Sequence, residues 1–254
     1  MTKIQRVGLM LWVGTTLVLL AGCNKLLDYL HDHPDGTVDL CRIKKMTYYS
    51  SGDSTNVDFT YNSWGDPVSA IRQKNIGTPD AMFRYDAQHR LTDYIEAYRN
   101  GSFETWHRYV YDNNNRIIRD TTYIFGFITD EPPFPDEVFD IAIVNYEYDN
   151  KDRIIHTIQQ WYSFPAPEDA LHQYYQYDAN GNLILAGGAL YDDKINVHRT
   201  NRIWMFIDRD YSVNNAFASD YNDNGLPTKV SMDYASSNLA GFYNGKGFIT
   251  YKCK

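Results

Sequence analysis

Aromatic residues recur along the chain in a short pattern, in which two aromatic positions, two residues apart, are followed by Asp or Asn. The complete pattern, aromatic-x-Tyr-Asp/Asn, begins at Phe59, Phe83, Tyr109, Tyr146 and Tyr175. A sixth copy, at residues 219–222, has Ser in place of the first aromatic residue. Because residues two apart lie on the same face of a β-strand, each copy predicts a strand with one aromatic face.

A tight hairpin turn is predicted to follow each strand, because Asp and Asn side chains accept hydrogen bonds from the backbone two residues on. The fourth residue after each Tyr belongs to the types that best tolerate a positive φ. These residues are Gly65, His89, Asn115, Asp152, Gly181 and Gly225. A type I turn followed by a left-handed residue makes a common three-residue hairpin loop. The sequence therefore predicts six β-hairpins.

An arginine stands four residues after the aspartate in three of the copies. The pairs are Asp86/Arg90, Asp112/Arg116 and Asp149/Arg153. We expect solvent-facing ion pairs across the hairpin necks, each worth less than about 1 kcal/mol. Repetition of the same pair from turn to turn indicates an architectural role, so we predict no catalytic residue among them.

The predicted fold class is all-β, an antiparallel meander of repeated β-hairpins. If Arg42–Ser50 and Gly247–Lys252 are strands as well, the sheet has about 12–14 strands, and open sheets beyond about ten tend to curl, split or close. We therefore expect a strongly curved open sheet or a barrel-like one. No long segment has helical periodicity, and Leu26, Leu27 and Leu30 predict at most one helical turn.

The unit Tyr-Asp-x-x-Gly-Arg-Leu resembles the YD-repeat (Rhs-type) family of bacterial surface and secreted proteins. The stretches that carry the resemblance best are Tyr85–Leu91, Tyr111–Ile117, Tyr148–Ile154 and Tyr177–Leu183. Large members of that family wrap many repeats into a hollow shell and often end in a toxin domain. With six short copies and no further domain expected after Cys253, the resemblance implies a small relative without a delivered cargo.

The first residues have the features of an export signal. A short basic head with Lys3 and Arg6 precedes an apolar run, and Leu20-Ala-Gly-Cys23 resembles the bacterial lipobox. The resemblance implies cleavage before Cys23 and lipidation of its thiol; an ordinary secretory signal is the alternative. We therefore predict a lipoprotein signal peptide over 1–22, a lipidated tether over 23–40 and a YD-repeat-like β domain over 41–254.

Charge and the predicted lipidation point to a membrane-anchored location. The chain has a formal net charge of −8, and loss of Lys3 and Arg6 makes the mature chain more acidic. An acidic surface disfavours nucleic acid as a partner, whereas several acyl chains anchor a protein stably. Since Asn24, and not Asp, follows the predicted lipidation site, we expect the outer membrane, on either its periplasmic or its cell-surface face.

Two cysteines remain after lipidation of Cys23. Cys41 and Cys253 stand near the two ends of the predicted β domain. Thiols of an exported protein enter an oxidising compartment, so we predict a disulfide between them. Two unpaired buried thiols are the alternative.

Motifs for enzymatic chemistry are missing from the sequence. It has no nucleophile elbow, zinc-protease helix or phosphate-binding loop, so we expect no cofactor and no metal site. His31-Asp-His33 is interpreted as part of a solvated linker, and the calcium-loop-like stretch Asp220–Gly225 as a repeat turn. A minor alternative is a hydrolase that uses a carboxylate pair from the acidic residues between Asp130 and Asp140.

Long connections are the predicted place for a binding site. Gly126–Asp140 and Ser163–Leu171 combine prolines, aromatic residues and acids, and Ala186–Asn201 is a third long stretch. Aromatic rings stack on the apolar faces of sugars. The candidate ligand-binding residues are Trp161, Tyr162, Phe164 and Phe134.

These features predict a cell-envelope lipoprotein that acts as a non-catalytic binding module for a glycan or another envelope polymer. The main alternative is a structural module that docks a protein partner of the envelope through its sheet.

Overall fold

The computed structural model describes residues 26–33, 36–38, 41–50, 53–74, 77–185, 188–216, 218–231, 239 and 246–254. The predicted signal peptide and the predicted lipidation site, Cys23, lie outside the described residues, as do parts of the predicted tether. No helix in the described part of the chain is both long enough and apolar enough to cross a membrane.

Thirteen antiparallel strands form one sheet. The strands are β1 (Cys41–Ser50), β2 (Asp53–Tyr61), β3 (Pro67–Arg72), β4 (Asp80–Tyr85), β5 (Leu91–Ala97), β6 (Ser102–Tyr111), β7 (Ile117–Phe127), β8 (Asp140–Tyr148), β9 (Ile154–Trp161), β10 (Leu171–Tyr174), β11 (Ala218–Tyr221), β12 (Pro227–Ser231) and β13 (Lys246–Cys253). Their order across the sheet is β10-β9-β8-β7-β6-β5-β4-β3-β2-β1-β13-β12-β11. The predicted all-β hairpin meander is confirmed, and the sheet is open, with β10 and β11 at its edges.

All six predicted hairpin turns are present, and they lie at the same end of the sheet, which we name the turn end. Five of them join paired strands, whereas the residues on either side of the turn at Asp178 form only a single bridge, between Tyr177 and Leu183. In each turn, Oδ1 of the Asp or Asn accepts the backbone N–H groups two and four residues on, over 2.8–3.0 Å. The residue three positions after the Asp or Asn has a φ between 56° and 102°. One side chain therefore satisfies two backbone donors while the left-handed residue reverses the chain.

Four of the six repeat tyrosines connect their hairpin to the one before it, whereas Tyr221 donates its hydroxyl to Asp192. Each of the four, and also Tyr251 of β13, donates its hydroxyl to the backbone carbonyl at the start of the preceding returning strand. The bonds are Tyr85 to Pro67, Tyr111 to Leu91, Tyr148 to Ile117, Tyr177 to Ile154 and Tyr251 to Pro227, over 2.6–3.4 Å. This ladder explains why Tyr recurs at this position: its ring packs in the core and its hydroxyl reaches a carbonyl.

The predicted Asp/Arg pairs form, but they are less exposed than expected. Arg153 and Asp149 are 2.7 Å apart, with 13% and 17% of their side chains exposed. The reason is a contact between repeats: the Arg153 guanidinium lies 4.0 Å from the ring centroid of Tyr177, the tyrosine of the next repeat. Arg90 and Arg116 lie over Tyr111 and Tyr148 in the same way.

The connection between β10 and β11 packs against one face of the sheet. The predicted long stretch Ala186–Asn201 contains a 3₁₀ turn, Val197–Thr200, and it is followed by a helix, α2 (Arg202–Asp208), where the sequence predicts none. Four consecutive residues of α2, from Ile203 to Phe206, are buried. A helix that is apolar all round is a core helix, and seven residues are too few to show a periodic pattern in the sequence. We name the sheet face that α2 contacts the inner face, and its opposite the outer face.

The contacts of α2 show that the sheet is strongly curved. Trp204 packs edge-on against Phe59 of β2 and Phe83 of β4, and Phe206 contacts Tyr109 of β6 and Tyr146 of β8. Seven neighbouring strands would span about 29 Å in a flat sheet. A seven-residue helix is only about 10 Å long, so the sheet must wrap around it.

The predicted tether is partly folded onto the β domain. Residues 26–32 form a helix, α1, whose Leu30 is fully buried beside Cys41 and Leu226. His31 Nε2 lies 3.0 Å from the carbonyl of Ala179, in a repeat turn. Buried Arg199 donates to the carbonyl of Gly36 over 2.9 Å. Helix α1 therefore packs at the turn end of the sheet.

The predicted disulfide between Cys41 and Cys253 is present. The two cysteines are directly paired residues of the neighbouring strands β1 and β13. The bond thus joins two strands inside the sheet and does not close the sheet, because β10 and β11 remain its edges. It closes a loop with a sequence separation of 212 residues.

Candidate functional site

An apolar groove lies on the outer face, at the end opposite the turns, which we name the loop end. Its volume is about 380 Å³. Its lining comes from three strands and from both proline-rich loops: Thr121, Tyr123, Pro135, Ile141, Ile143, Gln160, Trp161, Tyr162 and Pro165.

The floor of the groove is built by the alternation of side chains along β7, β8 and β9. Thr121 pairs with Ile143 and Tyr123 with Ile141 across β7 and β8, and Ile143 pairs in turn with Gln160 of β9. Directly paired residues share a sheet face, so these five side chains form one continuous surface. That surface is apolar except for a hydroxyl on each of Thr121 and Tyr123 and the amide of Gln160.

One wall of the groove is the first proline-rich loop, which is bound to the outer face by arginines. Arg84 donates to the carbonyls of Thr129 and Asp130 over 2.9 and 2.8 Å. Arg108 reaches Glu131 over 3.2 Å. The loop therefore covers the outer face of β4, β5 and β6 and does not project into solvent.

A buried carboxylate fixes the arginine that binds this loop. Asp93 accepts from Arg108 Nε over 2.8 Å and from the indole N–H of Trp106 over 2.7 Å. Close packing continues at Gly126, where an added Cβ would lie 2.7 Å from the ring of Phe103 and 3.2 Å from Val138. The position of this wall is thus set by specific polar and steric contacts.

The tip of the first loop is a single 3₁₀ turn, Pro135–Glu137. Glu137 accepts the backbone N–H of Phe134 over 2.8 Å, which caps the turn with its own side chain. This geometry places Pro135 in the groove, while Phe134 stays on the rim with 72% of its surface exposed.

The opposite wall is the second proline-rich loop, and Asp140 links it to the first. Asp140 accepts from the hydroxyl of Ser163 and, over 3.3 Å, from its N–H. Tyr162 N–H donates to the carbonyl of Ile141 over 2.7 Å, and Gln160 donates to the carbonyl of Ala166 over 3.2 Å. Burial tends to raise the pKa of Asp140, but the bonds from Ser163 and from the Ile141 N–H outweigh it and lower that pKa.

The structure brings two of the four predicted ligand-binding residues into the groove and leaves two on its rim. Trp161 and Tyr162 line the groove. Phe134 and Phe164 flank it, and the groove is lined by the proline next to each of them. Tyr162 and Phe164 are 74% and 61% exposed.

The other tryptophans of the β domain take different positions. Trp106 is buried under the first loop, and Trp204 is buried against the inner face. Trp64 is exposed at the turn end, where its ring lies edge-on to His89.

Three of the acidic residues of the first loop hold the loop in place. Glu131 binds Arg108, Glu137 caps Phe134, and Asp140 binds Ser163. Each of these three carboxylates thus makes a separate structural contact. Within the described ranges, no three His, Cys, Asp or Glu side chains are grouped as metal ligands.

The floor residues are the part of the site that sequence reasoning missed. Thr121 and Tyr123 of β7, and Ile141 and Ile143 of β8, each stand two apart on their strand. This spacing marks a second face, opposite the face of the repeat tyrosines. Alternation within these strands could have identified them as outward-facing, but not as the floor of a site between two distant loops.

Comparisons with known proteins show only a similarity of fold to some solved structures. No family model matches the chain, and no curated protein matches it. A solved porin-like protein from Bacteroides vulgatus is similar over 83% of this chain and 98% of its own, with a TM-score of 0.41 and 10% identity. The TcdB2-TccC3-TEV structure is similar over 75% of this chain, with a TM-score of 0.29 and 11% identity.

A TcdB2-TccC3 structure without its hypervariable C-terminal region is similar over 74% of this chain, with a TM-score of 0.30 and 15% identity. This chain covers 10% of the length of each of the two TcdB2-TccC3 chains. None of these likenesses bears on what the groove binds.

Proposed function

We propose that this protein is a lipid-anchored lipoprotein of the bacterial outer membrane, and that its β domain is a non-catalytic binding module for a glycan or another envelope polymer. The observation that supports the proposal is the groove between the two proline-rich loops, which joins an apolar floor to an aromatic wall.

The chemistry of the groove suits a sugar chain. Sugar rings have apolar faces that pack on aromatic rings, and Trp161 and Tyr162 offer such rings at one wall. Sugar hydroxyls also need hydrogen-bond partners, and Thr121, Tyr123 and Gln160 carry them on the floor. Exposed Phe134, Phe139 and Phe164 extend the aromatic surface beyond the groove. Apolar surface of this kind, concentrated in one place, is typical of a binding site.

The position of the anchor supports access of a polymer to the groove. Cys23 precedes the first described residue of α1 by three positions, a reach of about 10 Å. Helix α1 packs at the turn end, against Cys41 and beside Ala179. An acyl anchor at Cys23 therefore holds the turn end near the membrane. The groove lies at the opposite end of strands about 30 Å long, facing away from the membrane.

Binding of glycans by single-residue variants tests this proposal. We expect Trp161→Ala and Tyr162→Ala to weaken binding of peptidoglycan fragments or of a responding glycan about tenfold or more, with the unfolding midpoint in urea nearly unchanged for Tyr162→Ala. Trp64→Ala is the matched control, because it removes an exposed tryptophan at the turn end. Isothermal titration calorimetry on the full chain in detergent measures the affinity. Equal losses in Trp64→Ala and Trp161→Ala, or no loss in either groove variant, would contradict the proposal.

A structural role with a protein partner is the second candidate, and the edge strand β10 favours it. All four residues of Leu171–Tyr174 are exposed, and among the described strands β10 pairs with β9 alone. An unprotected sheet edge can add a strand from another protein. This role predicts that a photo-crosslinker at Leu171 captures a discrete partner on intact cells, whereas one at exposed Lys151 in a repeat turn does not.

A further inference from the structure

A second cavity lies on the inner face, between the middle strands and the C-terminal end of α2, and we name it the inner cavity. Its volume is about 240 Å³. It is lined by residues of β5, β6, β7, β8 and α2 with Arg209: Tyr94, Glu96, His107, Tyr109, Asp120, Tyr146, Phe206, Ile207, Asp208 and Arg209. Pockets for drug-sized ligands usually measure about 300–1,000 Å³, so this one suits a single small molecule and not a polymer.

A histidine held by a buried carboxylate forms one side of the inner cavity. His107 Nδ1 lies 2.7 Å from Asp120 Oδ2 and 3.0 Å from the hydroxyl of Thr122. Asp120 is buried, whereas 21% of the His107 side chain is exposed. Asp120 therefore fixes the ring orientation through Nδ1. Nε2, which has no hydrogen-bond partner among the described residues, is left for a ligand.

Three further polar groups face the same space. Glu96 accepts from Thr105 over 2.6 Å and weakly from Tyr94 over 3.4 Å, and it keeps acceptor capacity on both oxygens. The Tyr109 hydroxyl has no hydrogen-bond partner within the described part of the chain. Arg209 follows α2 with a φ of 54°, and its buried Nε has no hydrogen-bond partner among the described residues.

The left-handed backbone of Arg209 sets the direction of its side chain. Many helices end in a residue of this conformation. The N–H of Arg209 donates to the carbonyl of Phe206 over 3.2 Å, which closes α2 and directs the side chain back toward Tyr146.

Charges of both signs line the inner cavity. Glu96 and Asp120 are acidic, and Arg209 is basic. Asp208 is already paired with His198, 2.7 Å away. Burial tends to lower the pKa of His107, but the attraction of Asp120 outweighs it and raises that pKa. A free anion would meet the carboxylates and a free cation would meet the guanidinium. A neutral molecule with many hydroxyls can donate to Glu96 and accept from Arg209.

We propose that the inner cavity binds one neutral sugar unit or a polyol of the same size, with Glu96, His107, Tyr109 and Arg209 as its hydrogen-bonding groups. Asp120 is a positioning residue, because it acts on the ligand through His107. The rings of Tyr109 and Phe206 offer apolar surface to the ligand. This inference goes beyond the proposed function, since it uses no residue of the groove.

Calorimetric titration of the full chain tests this inference. The neutral probes are glucose, galactose, N-acetylglucosamine and inositol, and the charged counterparts are glucuronate and glucosamine. We expect at least one neutral probe to bind at millimolar concentration. Glu96→Gln should weaken it about tenfold and Tyr109→Phe about five- to tenfold, the size of a charged and of a neutral hydrogen bond.

Control variants accompany this test, and three results would contradict the inference. Tyr174→Phe makes the same change as Tyr109→Phe, but on the exposed strand β10, and it should leave the affinity unchanged. His172→Gln, on the same strand, should leave it unchanged as well. Thermal unfolding followed by circular dichroism confirms that each variant folds. No binding of any neutral probe, tighter binding of a charged counterpart, or equal affinity in Glu96→Gln, Tyr109→Phe and the wild type would each overturn the proposal. Trp161→Ala tests polymer binding in the groove and should not change binding of the neutral probe in the inner cavity. Either proposal can therefore be contradicted without the other.

Discussion

The two ends of the sheet differ in how their connections are built. At the turn end, six turns repeat one geometry, and Tyr, Asp or Asn, and a left-handed residue return at fixed spacing. At the loop end, connections differ in length and composition, and each is held by contacts of its own, such as Arg84 with Thr129 or Asp140 with Ser163. Repetition thus marks the part of the molecule that builds the sheet.

The contrast also separates two uses of aromatic residues. Repeat tyrosines such as Tyr111 and Tyr148 pack in the core and donate to the preceding repeat. Aromatic residues at the loop end, such as Phe134 and Phe164, are exposed on the rim of the groove. The repeat tyrosines therefore contribute to stability, whereas these aromatic residues of the loop end leave apolar surface exposed.

The largest expected effect comes from removing a ladder tyrosine. Tyr148→Ala deletes a packed ring, the 2.6 Å bond to Ile117 and the surface on which Arg116 lies. We expect the free energy of unfolding to fall by about 3 kcal/mol, as for other large-to-small changes in a core. Phe164→Ala, at the loop end, should change it by less than about 0.5 kcal/mol. Urea unfolding of both variants measures the difference, and similar losses would remove the contrast between the two ends.

A smaller effect is expected from a single turn carboxylate. Asp149→Ala leaves the backbone N–H groups of Lys151 and Arg153 without their acceptor, at a cost of about 1–2 kcal/mol. Asp149→Asn keeps the acceptor, as Asn62 and Asn222 do in their own turns, and should cost clearly less. Urea unfolding of the pair separates capping from charge. If Asn costs as much as Ala, the Arg153 pair and not the cap stabilises this turn.

The smallest expected effect is a decrease in the free energy of unfolding at acidic pH. The Arg116 backbone N–H, and then its side chain, lower the pKa of Asp112. Burial opposes this in Asp86 and Asp149, but the bonds from Arg90 and Arg153 outweigh it and lower those pKa values too. A carboxylate whose pKa is lower in the folded state than its unfolded value of about 3.9 stabilises the fold. This contribution is fully present at pH values above the unfolded pKa. The contribution is lost as the pH falls through the lower, folded-state pKa.

Urea midpoints between neutral pH and strong acid measure this dependence. The triple variant Asp86→Asn, Asp112→Asn, Asp149→Asn should lose less stability on acidification than the wild type does, because three of the carboxylates that must be protonated are gone. Identical slopes would assign the acid sensitivity to carboxylates elsewhere in the protein.

Local chemistry explains why some of these features are predictable. The fourth residue after each repeat Tyr needs a positive φ, and that need limits the residue types at Gly65 or His89 without reference to distant contacts. Trp204 illustrates the opposite case. Its sequence neighbours show no helical pattern, and its burial depends on Phe59 and Phe83, far away in the chain. The groove floor is similar, because Thr121 and Gln160 meet only through the register of three strands.

The sequence by itself determined the hairpins, the all-β class and the cysteine pair, since these follow from spacing, turn chemistry and composition. Only the tertiary structure decided that Cys41 and Cys253 pair inside an open sheet, that α1 packs at the turn end, and that α2 fills the inner face. The physical reason is that turns are settled by a few neighbouring residues. Curvature, burial and the shape of a cavity depend instead on side chains brought together from distant segments.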